Sequence, residues 1–86
     1  MSDLARSPKQ IGNIIRSARK NRGMSQAELG NHAGLRQGTI SHIESGSSGV
    51  KVDTLLAVLG ALDLELRIAP RSKSTASNLD LEDLFE

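Results

Sequence analysis

The stretch that decides the fold is Ser25-Gln-Ala-Glu-Leu-Gly-Asn-His-Ala-Gly-Leu-Arg-Gln-Gly-Thr-Ile-Ser-His-Ile-Glu-Ser-Gly46. It reads as two short helices with almost nothing between them. Ser25 suits an N-cap, and Glu28 three residues on completes a capping box. Ala27, Leu29 and Ala33 are the apolar positions of the first helix. Gly34 ends it, because a sharp helix end needs the positive φ that glycine adopts without a Cβ penalty. Leu35 is expected to plug the angle between the two helices. The second helix starts near Gln37, with Ile40 and Ile43 spaced to face a core. The opposite face, with Arg36, Gln37, Gly38, Ser41 and His42, is polar and predicts a bare surface.

Two helices joined by so tight a turn form a helix-turn-helix. A DNA major groove accepts one α-helix, and short polar side chains near that helix's N-terminus read the base edges. The second helix of the pair has this character.

Outward from this pair, the chain supplies more helix. Pro8 suits a first helical turn, and Ile11, Ile14, Ile15 and Ala18 recur at helical spacing until Gly23. Ser45-Gly-Ser-Ser-Gly reads as a loop. A fourth helix is expected from about Val52 to Leu62, with Val52, Leu55, Leu56, Leu59 and Leu62 as its apolar face. The period then changes. Leu64, Leu66 and Ile68 alternate with Glu65 and Arg67 up to Pro70, which predicts a short strand. Residues 71–86 are low in apolar content at first and end in acids, so they are expected to be a disordered acidic tail. The expected architecture is all-α with four to five helices. Residues 1–7 form a disordered N-terminus, 8–63 the helix-turn-helix domain and 64–70 the strand.

Eighty-six residues make one domain at most. With no cysteine, neither disulfides nor a thiolate metal site can support so small a core. Helix packing or a second copy of the chain must do so. The formal charge of +1 conceals an asymmetry. Arg6, Lys9, Arg16, Arg19, Lys20, Arg22 and Arg36 face only Asp3 and Glu28 up to His42, whereas the stretch from Ser74 has Asp80, Glu82, Asp83 and Glu86 and no base. A basic body suits a polyanion partner. There is no membrane-spanning apolar run, and the polar start Met1-Ser-Asp-Leu-Ala-Arg is not expected to be a signal peptide. The expected location is cytoplasmic, with the nucleoid. No phosphate-binding Gly-rich loop, nucleophile–base pair or paired catalytic carboxylates is present, so no enzyme and no cofactor are expected. Neither His32 nor His42 has a second ligand at metal spacing, so no metal is expected.

The string from Arg16 through Gly46 resembles the lambdoid-repressor (XRE/Cro) helix-turn-helix family. The match lies in Ser25-Gln26 with Leu29, in Ala33-Gly34-Leu35, and in Ile40-Ser41 with Glu44 and Gly46; Thr54-Leu55 and Ala61-Leu62 continue it. The resemblance implies that Gln26 contacts a DNA phosphate and that Gln37 reads a base edge, glutamine being matched to adenine. It makes Arg36, Gly38, Thr39, Ser41 and His42 further candidate DNA contacts. It implies an internal ion pair between Arg19 and Glu44. Two positions depart from the pattern. Gly38 removes a side chain where a base-reading one is common, and Val50-Lys51 stands where the family has Pro-Ser, so Lys51 becomes a candidate phosphate contact.

The single strand has no second strand in its chain. An unpaired apolar edge invites association. Antiparallel pairing with the same segment of another copy gives a two-fold interface through Leu64, Glu65, Leu66, Arg67 and Ile68, with Glu65 facing the partner's Arg67. Such a homodimer presents two recognition helices about 34 Å apart and predicts a palindromic operator. This layout, with Leu35-Arg-Gln-Gly-Thr-Ile-Ser41 and Leu62-Asp-Leu-Glu-Leu-Arg-Ile68, is similar to HipB-type antitoxins. That resemblance implies repression of the chain's own operon and binding of a HipA-type serine/threonine kinase toxin. Phe85, the only aromatic residue, sits in the acidic tail, so Leu84 and Phe85 are candidate toxin contacts. Three functions stay open: an autoregulating antitoxin, a regulator without a toxin, and an interaction module that no longer binds DNA.

Overall fold

A computed structural model of the protein describes residues 3–71. Four helices occur among them: α1 (Pro8–Asn21), α2 (Gln26–Ala33), α3 (Gln37–Glu44) and α4 (Val52–Ala61). Each boundary has a local cause. Ser7 caps α1, its hydroxyl accepting from the Gln10 N–H at 3.2 Å, and Pro8 follows where a missing N–H costs nothing. Gly23 has φ 69°, the left-handed turn that ends the α1 region. Ser25 and Glu28 form the expected capping box: the Glu28 N–H donates to Ser25 Oγ at 3.0 Å, and the Ser25 N–H to Glu28 Oε1 at 2.8 Å.

The core is Ile15, Leu29, Ile40, Ile43, Val58, Leu59 and Leu62, with at least one residue from every helix or its cap. α3 packs against both α1 and α2, and α2 against α4. The α1–α3 crossing is close because Gly12 has no side chain. A Cβ there would lie 2.5 Å from the Ile43 carbonyl oxygen. Among the described residues no helix is long and apolar enough to cross a membrane.

The fourth helix is rotated relative to the sequence reading. Leu55, Val58, Leu59 and Leu62 face inward, whereas Val52 and Leu56 are 64% and 43% exposed. At 3.6 residues per turn, Val52 and Leu56 lie roughly 60° and 100° around the helix from the centre of the buried stripe. Val58, absent from the expected face, is wholly buried. Ala27 of α2 is likewise on the outside.

The expected strand over 64–70 is not formed among the described residues. The segment has no regular secondary structure, and all its residues are exposed. Among the described residues there is no strand for it to pair with, so no ladder forms. Its alternation is nonetheless visible. Arg67 Nε donates to Glu65 Oε2 at 2.7 Å within the same chain, where the sequence placed Arg67 opposite a partner's Glu65. Leu66 and Ile68 lie bare, Ile68 at 92% exposure. The tail from 72 onward, with Leu84 and Phe85, lies outside the described residues.

Candidate nucleic-acid interface

The turn between α2 and α3 sets the site. Gly34 adopts the left-handed conformation (φ 72°, ψ 32°). Two backbone bonds then close the end of α2: the Leu35 N–H donates to the Gly30 carbonyl at 2.8 Å and the Gly34 N–H to the Asn31 carbonyl at 3.4 Å. This pairing is a Schellman motif, and Leu35 packs on the core as its hydrophobic partner. The chain re-enters helix at once. Arg36 takes the N-cap position with extended backbone (φ −79°, ψ 153°) and no side-chain cap.

α3 is thereby anchored along one face and bare along the other. Ile40, Ile43 and Glu44 are buried. Arg36, Gln37, Gly38, Ser41 and His42 are all exposed, and Thr39 is half-buried between the two sets. The helix turns its polar residues outward because Ile40 and Ile43 have only the α1–α2 cleft in which to leave water. A Cβ at Gly38 would meet nothing within 4 Å, so this position leaves the helix backbone open to close approach.

His42 differs from its neighbours on that face. Its Nε2 lies 3.3 Å from the Ser48 carbonyl oxygen, which draws the ring toward the loop after α3. Ser45 Oγ donates to the His42 carbonyl at 2.8 Å and lies 2.9 Å from Ser47 Oγ, so the loop is tied to the end of α3. Lys51 caps α4 with extended backbone, is exposed and makes no side-chain cap bond. Gln26, at the start of α2, is half-buried.

Below this surface Arg19 and Glu44, each 8% exposed, form a two-pronged ion pair. Arg19 Nε donates to Glu44 Oε2 at 2.7 Å and Nη2 to Oε1 at 3.0 Å. Nη1 also donates to the Met24 carbonyl at 2.8 Å. Donation of its hydrogen bonds to Glu44 holds the Arg19 guanidinium above its ordinary pKa, against the opposing effect of burial. The pair joins α1, the α1–α2 turn and α3. The sequence did not reveal a fourth member: Gln26 Nε2 donates to Glu44 Oε1 at 3.2 Å. A separation of 18 residues between two polar side chains carries no periodic signal.

A second surface involves α1 and α4. A groove of about 510 Å³ opens between the N-terminal segment at Leu4, Ile11 and Ile14 of α1, Leu55 of α4, and Leu64 and Leu66. Among the described residues no group of three or more His, Cys, Asp or Glu side chains is placed to hold a metal ion.

A family model described as Helix-turn-helix matches residues 15–68, more than half of the chain and all of α2 to α4. The chain belongs to the helix-turn-helix family. Within that family it is similar to the antitoxin HipB of Escherichia coli O6:H1, with 27% identity over 78 residues, 91% of this chain and 83% of the relative. It is 40% identical over 68 residues to an uncharacterised HTH-type transcriptional regulator of Sinorhizobium fredii, which covers 79% of this chain and 35% of that protein. Among solved structures, a chain of the HipA–HipB–O2–O3 complex superposes with a TM-score of 0.76 at 27% identity, over 83% of this chain and 100% of the other.

Proposed function

We propose that this helix-turn-helix protein is a sequence-specific DNA-binding repressor and the antitoxin of a HipA-type kinase toxin. The observation that carries the DNA reading is α3: an apolar face locked into the core and a polar face with nothing over it. Gln37, at its first turn, reads a base edge, with Arg36, Thr39 and Ser41 beside it. His42 reaches the duplex only by leaving the Ser48 carbonyl. Gly38 lets the helix sit deep. Gln26 and Lys51 hold phosphates on either side of the recognition helix. Nothing in this scheme is catalytic; the chain binds, and its place of action is the cytoplasmic nucleoid.

The apolar groove and the bare Leu64, Leu66 and Ile68 support a homodimer. A second copy covers both at once, pairing the two 64–68 segments and burying apolar surface that a monomer leaves in water. Two-fold symmetry then matches a palindromic operator. The antitoxin reading rests on the likeness to HipB over most of both chains and on the fold shared with a HipA–HipB complex. Leu84 and Phe85 are its proposed toxin contacts. The Sinorhizobium relative supports a second reading, a regulator without a toxin.

The test is an electrophoretic mobility assay on the region upstream of the chain's own gene, with sizing of the complex. A two-copy complex whose affinity falls steeply with salt is expected, because phosphate contacts release counterions. Absence of any shift at low salt defeats the DNA reading. Co-purification of a serine/threonine kinase that is lost on deleting residues 74–86 separates the antitoxin from the free-standing regulator.

A further inference from the structure

Gln26 opens α2 at the protein surface, yet its amide is not free. Glu44 is an acceptor-only side chain, and it receives three N–H donors: Arg19 Nε at 2.7 Å, Arg19 Nη2 at 3.0 Å and Gln26 Nε2 at 3.2 Å. We infer that Glu44 is a positioning residue of the DNA interface: it grips one N–H of the Gln26 amide so that the other is presented to a phosphate oxygen. This rests on the reading of the start of α2 as a backbone contact.

Two physical consequences make the arrangement fit that task. A carboxylate can bond only to the nitrogen end of an amide, so Glu44 decides which end of Gln26 turns inward. The Nε2 group carries two N–H bonds, and one remains. A glutamine held beforehand loses less rotamer freedom on binding than one free in water. The charge is also managed. A lone carboxylate beside a phosphate contact would repel the duplex, but Arg19 neutralises this one through two hydrogen bonds. The same ion pair that joins α1 to α3 therefore also orients an amide 18 residues away from Glu44 in the chain.

The experiment is a coupling cycle on DNA affinity. Three proteins are compared with the unaltered chain: Gln26→Ala, the apolar pair Arg19→Met with Glu44→Leu, and the combination of all three. A buried ion pair exchanged for apolar residues of similar size is often tolerated. Circular dichroism confirms that each is folded at the assay temperature, and Kd is measured on the cognate duplex and on a random one. Gln26→Ala and the apolar pair are each expected to lose about three- to tenfold on both duplexes. The combination loses no more than either. The salt slope stays as in the unaltered chain, because a neutral amide releases no counterion. If the folded apolar pair binds as the unaltered protein does, or if the losses multiply, the inference is overturned. A silent Gln26→Ala overturns it while leaving Gln37 and the recognition helix intact as a reading; failure of the unaltered chain to bind any duplex defeats both. Should the apolar pair not fold, Glu44→Met, which keeps the length of the side chain and removes both acceptor oxygens, carries the same cycle against Gln26→Ala in the Arg19→Met background.

Discussion

On the inner face of α3, Ile40 is wholly buried, Ile43 nearly so, and Glu44 ends in three hydrogen bonds. On the outer face Gln37, Gly38 and Ser41 are exposed, and His42 is held only by one long contact to a loop carbonyl. Eight residues thus serve two purposes at 3.6 residues per turn. The inner ones fix where the helix is, and the outer ones are left free to meet something else. Substitution of Ile40 or Ile43 on the inner face should therefore change stability without changing recognition, that of Glu44 should affect both because it also holds Gln26, and that of the outer residues should change recognition alone.

The hardest blow to the inner face is Arg19→Ala. It strands the Glu44 carboxylate in the protein, and breaking one side of a buried pair costs about 3–5 kcal/mol. For a chain this small that is a large share of total stability. A steep fall in the urea midpoint is expected. A melting curve unchanged by Arg19→Ala would mean that the pair does not join α1 to α3 at all.

On the outer face, Gln37→Ala should leave the melting curve alone, since its side chain is in water. It should weaken binding to the cognate duplex by about 1–3 kcal/mol and leave random DNA almost untouched. Competition between the two duplexes in one titration reads the difference directly. An equal loss on both would place Gln37 on the backbone and remove the distinction between the faces.

Gly34→Ala probes the hinge that lets the faces differ. A Cβ there would meet nothing within 4 Å, so only the left-handed backbone resists it, by roughly 1–2 kcal/mol. Thermal denaturation should show a moderate loss with unchanged Kd per folded molecule. Gly30 contrasts with it: a Cβ there would fall 2.7 Å from the Leu35 carbonyl oxygen. Gly30→Ala must therefore push the turn open, and its cost should exceed that of Gly34→Ala.

These glycines also mark what the sequence made legible. Gly34 was readable, because a left-handed helix end is a local requirement that follows from its place after a helical pattern. The capping box at Ser25 and Glu28 was readable for the same reason, as were the inner positions Ile40 and Ile43. Gly12 and Gly30 were not, since their purpose is the approach of another backbone, which only the tertiary fold defines. The face of α4 was read a partial turn off, because its start carries apolar residues on two sides and Val52 and Leu56 look as buried as Leu55. The Arg19–Glu44 pair came from family resemblance, whereas the bond from Gln26 to Glu44 had no local trace. The 64–70 segment shows period-two alternation, but whether it becomes a strand depends on a second chain.

The mildest test concerns the start of α2, which sits beside the recognition helix without belonging to either of its faces. The backbone N–H of Ser25, and then its hydroxyl, hold the Glu28 carboxyl below its ordinary pKa. A group whose pKa is depressed on folding stabilises the protein above its unfolded value, and that stabilisation disappears as pH falls through the folded value. The capping box should therefore contribute fully at neutral pH and fade only in acid, below the usual glutamate range. Glu28→Gln keeps an oxygen that accepts from the Ser25 N–H but cannot titrate. Its melting temperature should fall slightly at pH 7 and should decline less than that of the unaltered chain between pH 5 and pH 3. Parallel decline of the two proteins over that interval would show that acid loss arises elsewhere than in the capping box.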